Sequence, residues 1–166
     1  MFRTIKDFQS HWQYEIDITN KTFRNLTDES LEQRVGPDGR TLGFLAWHVA
    51  VTPGEMLGLV GLTLDGPSHE APHPTTAAEI ASAYETAANS AAQQVATNWD
   101  DNTLLQSDEM YGETWTRGQT LFYLVLHQTH HRGQMTVLMR QAGLVVPGAY
   151  GPAKEEWAAM GAPALP

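Results

Sequence analysis

The stretch from Leu121 to Met135 constrains the fold more than any other part of the chain. It contains no proline, and its apolar residues recur every three or four positions, which is the spacing of one face of an α-helix. This pattern continues to Gly143 and predicts a long helix that is buried along one side. The apolar residues of the buried face are Leu121, Leu124, Met135, Leu138 and Ala142.

The same face carries His127 and His131, one helical turn apart. This spacing lets two imidazole nitrogens reach one metal ion from a single helix. His130 is rotated by about 100° from His131 and points elsewhere. The alternative is a pair of hydrogen-bonded core histidines, since every buried imidazole needs polar partners. A third ligand would decide between these two interpretations.

His48 is the natural candidate for that third ligand. It lies in the apolar run from Phe44 to Val51, within a second predicted helix that begins near Thr41. A polar ring in such surroundings needs a partner. Just beyond it, Thr52, Pro53 and Glu55 predict either a kink or a helix end followed by a new start with a capping box.

Two further helices complete the set, at about 4–26 and 76–99, and the helix that carries the histidine pair starts at residue 116. Residues 100–115 predict a long connection, with a short extended ribbon as the alternative. Residues 154–160 predict one short helix. Thr76 with Glu79 and Thr116 with Gln119 form the expected capping boxes. Four long helices predict an all-α four-helix bundle, either up-and-down or with a crossover.

Composition limits the classes of function that remain open. A length of 166 residues predicts a single domain, spanning 1–166, that can bury a core without disulfides. A formal charge of −9, with no Lys/Arg cluster, argues against binding to nucleic acid. No run is long enough to span a bilayer, and no secretory signal is recognisable, so we expect a cytoplasmic protein without membrane contact. The chain has no Cys, so any thiolate would have to come from another molecule.

Three neutral imidazoles without a carboxylate leave a divalent ion its full charge and open coordination positions, as in reactive rather than structural sites. Zn fits these ligands best, and Ni, Fe or Mn also suit imidazole. Such an ion could lower the pKa of a bound water or ionise the thiol of a small cosubstrate. The catalytic group would then be metal-bound water or thiol, and the sequence identifies no separate protein base.

Four residues near the histidines are weaker candidates. Gln128 lies about 60° from His131 around the helix and could hydrogen-bond behind the ligands, or be an ordinary helix glutamine. Arg132 could hold an anionic substrate or simply be solvated. Trp47 and Tyr150 could be pocket walls, although aromatic side chains are more often part of the core. Loop residues His69 and His73 are expected to lie outside the site.

Several motifs resemble those of the DinB/YfiT-like family of metal-dependent enzymes. They are LGFLAWH at 42–48, WTRGQ at 115–119, HxxxHRGQ at 127–134 and LMRQAGLxxP at 138–147. The resemblance covers nearly the whole chain. It implies an up-down-down-up four-helix bundle with long crossing loops and a short C-terminal helix. It also implies a homodimer and a divalent metal held by His48, His127 and His131.

The resemblance also indicates a reaction class. Characterised relatives include thiol-dependent S-transferases and a thiol-dependent isomerase that use bacillithiol or mycothiol. The leading hypothesis is therefore a cytoplasmic S-transferase in which the metal activates a low-molecular-weight thiol toward a small-molecule substrate. One alternative is a metal-dependent hydrolase that uses metal-bound water. Another is a non-catalytic, stress-associated metal-binding dimer, which predicts a fourth protein ligand or a sealed site.

Overall fold

The computed structural model describes residues 2–163 and confirms the all-α architecture. The long helices are α1 (Ile5–Phe23), α2 (Leu42–Leu59), α3 (Ala77–Asn98) and α4 (Arg117–Gln141). Strands β1 (Ser107–Met110) and β2 (Glu113–Thr116) pair antiparallel, which confirms the extended ribbon in the third connection. Within residues 2–163, no helix combines the length and the hydropathy that a membrane span requires.

The helices form the expected up-down-down-up bundle, in which α1 and α2 each pack against both α3 and α4. The amide of Ala77, at the start of α3, donates to Asp28 just beyond the end of α1. Leu62, which follows α2, and Asn98, at the end of α3, line one cleft. The helices α2 and α3 are therefore parallel, and residues 60–76 run back along the bundle to join them.

Threonine caps define where the helices begin. Thr4, Thr41, Thr76 and Thr116 each accept a hydrogen bond from the backbone amide three residues on. The complete capping box of Thr116 with Gln119 is confirmed, because each side chain bonds the other residue's backbone. The helix α4 ends before Gly143, whose φ of +76° favours glycine.

Helix α2 continues through Pro53, so of the two alternatives the helix end with a restart is wrong. The Thr52 hydroxyl donates to the His48 carbonyl at 2.6 Å and does not cap a new helix. Proline removes one backbone hydrogen bond, but burial of Val49, Val51 and Pro53 in the core offsets that loss. As a result, residues 48, 52 and 55 stay on one continuous helical face.

The C-terminal segment differs from the predicted single helix. It forms two 3₁₀ turns, Lys154–Glu156 and Ala158–Met160. The Glu156 carboxylate accepts hydrogen bonds from the amides of Gly148 and Ala153, which folds the chain back around this side chain. A segment this short does not repay the cost of nucleating an α-helix, so local side-chain bonds decide its shape.

The predicted buried face of α4 faces the core. Leu121, Leu124, Met135 and Leu138 are all buried, while Ala142 is the partly exposed C-cap. Trp12 anchors the opposite side of the bundle and donates to the Ala88 carbonyl at 2.9 Å. The core therefore fixes the rotation of α4, and with it the direction in which its histidines point.

Candidate metal centre and its cleft

The antiparallel packing of α2 and α4 brings three histidines together. His48 comes from α2, and His127 and His131 come from α4. The Nε2 atom of His127 lies 3.1 Å from Nε2 of His48 and 3.1 Å from Nε2 of His131. The three potential ligand atoms all lie within 4.8 Å of one another, so this group could hold a metal ion.

Gln134 orients one of these rings. Its Oε1 lies 2.8 Å from Nδ1 of His131, and an amide oxygen can only accept. The Nδ1 atom of His131 therefore carries the proton, and its Nε2 lone pair points at the other histidines. Metal-bound histidines are commonly held by such a bond at the remote nitrogen. Sequence reasoning considered Gln128, about one turn before His131, for this supporting role, with an ordinary helix glutamine as the alternative.

The histidine contacts fit a cation better than they fit hydrogen bonds among neutral rings. With a lone pair on His131 Nε2, a single proton on His127 Nε2 can serve only one of its two close neighbours. The two nitrogens of the other 3.1 Å contact would then have either no proton between them or a proton on each. Adjacent nitrogens bound to one ion at 2.0–2.1 Å are separated by about 2.9 to 3.4 Å. The two 3.1 Å separations fall in this range, and the third pair of ligand atoms lies within 4.8 Å. The residues present therefore fit a divalent ion.

Burial keeps these rings neutral. Burial, with a smaller contribution from the charges of His131 and His48, lowers the pKa of His127 to about 4. The pKa values of His48 and His131 are also lowered, again mainly by burial. Neutral imidazoles offer the lone pairs that a metal needs, so the group is ready to bind an ion at neutral pH.

His48 and His127 form one wall of a cleft of about 510 Å³. A space of this size suits a small molecule. Within residues 2–163 the candidate ligand group has three members and no fourth. The rest of the lining consists of Thr52, Glu55, Met56, Tyr111, Trp115, Tyr123, Leu126 and His130.

Glu55 is the acidic residue of this lining, and sequence reasoning missed its role. Its Oε1 accepts a hydrogen bond from the Tyr111 hydroxyl at 3.0 Å, and its Oε2 lies 3.1 Å from Nδ1 of His69. Sequence reasoning considered Glu55 only as part of a capping box, in the alternative in which the helix ends at Pro53 and restarts. A continuous helix would have revealed it, since residues seven apart share a face.

Two of the weaker candidates belong to a different cluster, between α1 and α4. Arg132 is only 3% exposed, and its guanidinium pairs with the Glu15 carboxylate at 2.8 Å. It is therefore not the solvated arginine that the sequence alternative described. Gln128 is fully buried and accepts a hydrogen bond from Tyr84 at 3.1 Å. Neither Arg132 nor Gln128 lines the histidine cleft.

The two aromatic candidates lie on opposite sides of the bundle. Trp47 lines a second cleft, of about 380 Å³, which it shares with His48, Arg40 and His69. Tyr150 covers the Arg132–Glu15 pair, and its hydroxyl donates to Glu15 at 2.6 Å.

The remaining histidines are not members of the candidate ligand group. His130 is exposed at the rim of the cleft, and His11 lies 3.3 Å from Glu15. In the loop before α3, His73 Nδ1 lies 2.6 Å from the Pro74 carbonyl.

Comparisons with known proteins agree with this fold. The model of the DinB family matches residues 1–164. The chain is 47% identical over 161 residues to a Bacillus subtilis (strain 168) protein described as the uncharacterized protein YrdA, covering 97% of this chain and 96% of that one. A crystal structure of a DinB-like protein from Bacillus cereus ATCC 10987 matches with a TM-score of 0.86 and 41% identity, over 90% of this chain and 100% of that one.

A more distant structure supports the fold alone. The DinB-like protein YjoA from Bacillus subtilis matches with a TM-score of 0.69 at 14% identity, over 86% of this chain and 96% of that one. The whole-chain family match and the 47% identical relative establish the assignment that the motifs predicted. The chain belongs to the DinB family.

Proposed function

We propose that this protein is a divalent-metal-dependent enzyme that transfers a low-molecular-weight thiol to a small electrophile. The observation that carries the proposal is the convergence of three neutral imidazoles, two of which form one wall of a cleft large enough for a small molecule. His48, His127 and His131 would hold the ion. Zn suits these ligands best, and Ni, Fe or Mn remain compatible.

The ion, when bound, would supply positive charge that lowers the pKa of a thiol or water reaching it. The chain's own residues would do the rest. Gln134 fixes the orientation of His131 through its 2.8 Å contact with Nδ1. The apolar side chains of Met56 and Leu126 would exclude water from the bound substrate. Because the chain has no Cys, the sulfur comes from a cosubstrate.

In the proposed transfer, a sulfur–carbon bond forms and the bond between that carbon and its leaving group breaks. The thiol releases its proton to solvent, and its sulfur forms a bond to the electrophilic carbon of the substrate. The leaving group departs from that carbon with the bonding electron pair and takes up a proton. The family's thiol-dependent transferases support this reaction class, while the cleft beside the histidines supplies space for both reactants.

A metal-dependent hydrolase is the second candidate, and Glu55 favours it. A carboxylate in the same cleft could accept a proton from an attacking water. The non-catalytic alternative has less support, because it needs a fourth protein ligand or a sealed site. Within residues 2–163 the group has three members and borders an open cleft.

We also propose that the protein works in the cytoplasm as a homodimer. Val35 and Val137 are 73% and 53% exposed, and both border a cleft distinct from the histidine cleft. Exposed apolar side chains that lie close together suit a self-complementary interface. Light scattering of the purified protein tests this proposal, with a molar mass twice that of the chain as the expected result.

The function is tested by assaying metal-loaded protein against a panel of electrophiles with and without low-molecular-weight thiols. Thiol-dependent turnover that disappears after chelation is the expected result. Turnover without any thiol would reject the transferase and support the hydrolase. A metal-loaded protein that binds thiols yet turns over neither electrophiles nor esters and amides would favour the non-catalytic alternative.

A further inference from the structure

We propose that the outer part of the histidine cleft is a binding site for a trimethylammonium or similar alkylammonium group. We call it the ammonium subsite, and it consists of Glu55, Tyr111, Trp115 and Tyr123. The assignment of this group to the enzyme's substrate rests on the proposed function, whereas the binding of the cation itself does not.

Three aromatic rings form the wall of this subsite. The Trp115 ring centroid lies 5.8 Å from that of Tyr111 and 4.7 Å from that of Tyr123. The rings are inclined to one another by 58° and 50°, so they are not stacked on each other. Inclined rings around one concavity can turn their electron-rich faces toward a common occupant. Such an arrangement recognises quaternary ammonium groups through cation–π attraction.

The charge of the lining also selects a cation. Glu55 contributes a carboxylate, and its side chain is 24% exposed. Its contacts with Tyr111 and His69 leave further acceptor positions free. Among the described residues, no lysine or arginine lines this cleft. An anionic group beside Glu55 would therefore meet a carboxylate without a lysine or arginine to compensate its charge, whereas an ammonium group would be attracted.

Tyr111 has a backbone conformation that is unusual for a tyrosine. Tyr111 has φ of +54° and is the only non-glycine residue with positive φ within residues 2–163. With Gly112 it forms the two-residue turn between β1 and β2, a position that usually favours Asn, Asp or Gly. A tyrosine here costs conformational energy, and such strain is concentrated at ligand-binding positions. The strained turn carries the Tyr111 ring to the cleft.

The subsite is compatible with a metal ion at the inner end of the cleft. Glu55 follows His48 by seven residues on the same helical face, which corresponds to about 10 Å along the helix axis. A cationic group on the side of Glu55 that faces away from His48 would thus be separated from the positive charge at the histidines. One elongated substrate could place its ammonium group in the subsite and its reacting carbon near the histidines.

The test compares choline with its neutral analogue 3,3-dimethyl-1-butanol, which has the same shape but no charge. Both compounds are titrated by calorimetry into the full-length protein, once after chelation and once loaded with Zn. We expect choline to bind in a 1:1 complex at least tenfold more tightly than the alcohol in the metal-free protein. Equal or tighter binding of the alcohol, or no binding of choline to folded protein, would overturn the proposal.

Variants locate the subsite. Glu55→Gln should remove most of the preference for choline over the alcohol, because it removes the charge and keeps the shape. Trp115→Leu should weaken choline binding at least tenfold. If the Trp115 variant does not fold, Tyr123→Leu should show the same loss of choline affinity. Trp47→Leu is the matched control, since Trp47 lies in the other cleft, and it should bind choline normally. Unchanged choline binding in the Glu55 and Trp115 variants would reject the site.

These outcomes are independent of the proposed function. The titration requires neither metal nor turnover, so a protein that binds choline but no metal would reject the metalloenzyme and retain the subsite. A protein that binds metal but not choline would reject the ammonium subsite and leave the metalloenzyme proposal standing.

Discussion

His131 and Arg132 are neighbours in sequence, but their side chains enter two different kinds of polar cluster. Arg132 meets Glu15, Thr19 and Tyr150 between α1 and α4, where donors and acceptors pair with one another at 2.6 to 2.8 Å. His131 meets His48 and His127 between α2 and α4, where the close nitrogens cannot all pair. Arg132 and Glu15 are satisfied within the first cluster, whereas the second cluster borders a cleft and could hold a cation.

This difference separates a structural cluster from a candidate site. Buried polar groups that satisfy each other specify how helices pack and have little left to offer a ligand. Groups that direct lone pairs at one point next to a cleft are suited to bind something there. Burial alone would not distinguish them, since His131 is 6% exposed and Arg132 is 3% exposed.

Breaking the Arg132 cluster should have the largest effect on stability. Arg132→Met leaves the Glu15 carboxylate buried without its cation, which costs about 3 to 5 kcal/mol of unfolding free energy. Urea unfolding of metal-free protein measures this loss. The amount of metal bound per folded molecule should stay at the wild-type level. A stable variant that fails to bind metal would show that the two clusters are not separate.

Removing the support of His131 should affect metal affinity and hardly affect folding. Gln134→Ala deletes the acceptor at Nδ1, and the loss of such remote partners lowers metal affinity about 10- to 100-fold. Competition with a chromogenic chelator measures the affinity. Gln128→Ala is the matched control, because Gln128 bonds to Tyr84 and lies outside the cleft. A larger loss of affinity in the Gln128 variant would favour the assignment made from the sequence.

The metal-free protein should lose stability as the pH falls. The pKa of His127 is about 4 in the folded chain, against an ordinary value of 6.5, so the unfolded chain binds more protons between these values. Stability from this group is fully present above pH 6.5 and is lost as the pH falls toward 4. Thermal melts across this range should show a steeper decline for wild type than for His127→Gln. Parallel declines would indicate that His127 does not titrate in this way.

The smallest effect concerns the cover of the Arg132 cluster. Tyr150→Phe removes a hydroxyl that bonds to Glu15 and Arg132, at a cost of about 1 kcal/mol. Chemical unfolding measures the difference. Tyr14→Phe removes a more exposed bond to the Ala149 carbonyl and should cost less. The reverse order would mean that the C-terminal segment is held mainly through Tyr14.

The comparison also explains what the sequence could and could not predict. The His127 and His131 spacing and the apolar surroundings of His48 are local signals, so the three histidines could be selected from helical periodicity alone. The burial of Arg132 could not, because its partner Glu15 lies 117 residues away in sequence. Glu55 was missed because a proline usually ends a helix, whereas packing in the core carries α2 through Pro53.

The choice between Gln128 and Gln134 shows a finer limit. Both lie three residues from His131, on either side of it, and helical angles alone do not say which amide reaches Nδ1. Packing against α1 and α3 draws Gln128 toward Tyr84 and leaves Gln134 for the histidine. Such contacts depend on the whole bundle, so they follow from the tertiary structure and not from the local pattern.

The central claim is that His48, His127 and His131 together hold one divalent ion. Metal analysis of purified alanine variants tests it most directly, with His130→Ala, His69→Ala and His73→Ala as controls. We expect one ion per chain in the wild type and in all three controls, and loss of stoichiometric metal in each variant of the three candidate ligands. A folded His48 or His131 variant that retains the ion, or a His130 variant that loses it, would contradict the account.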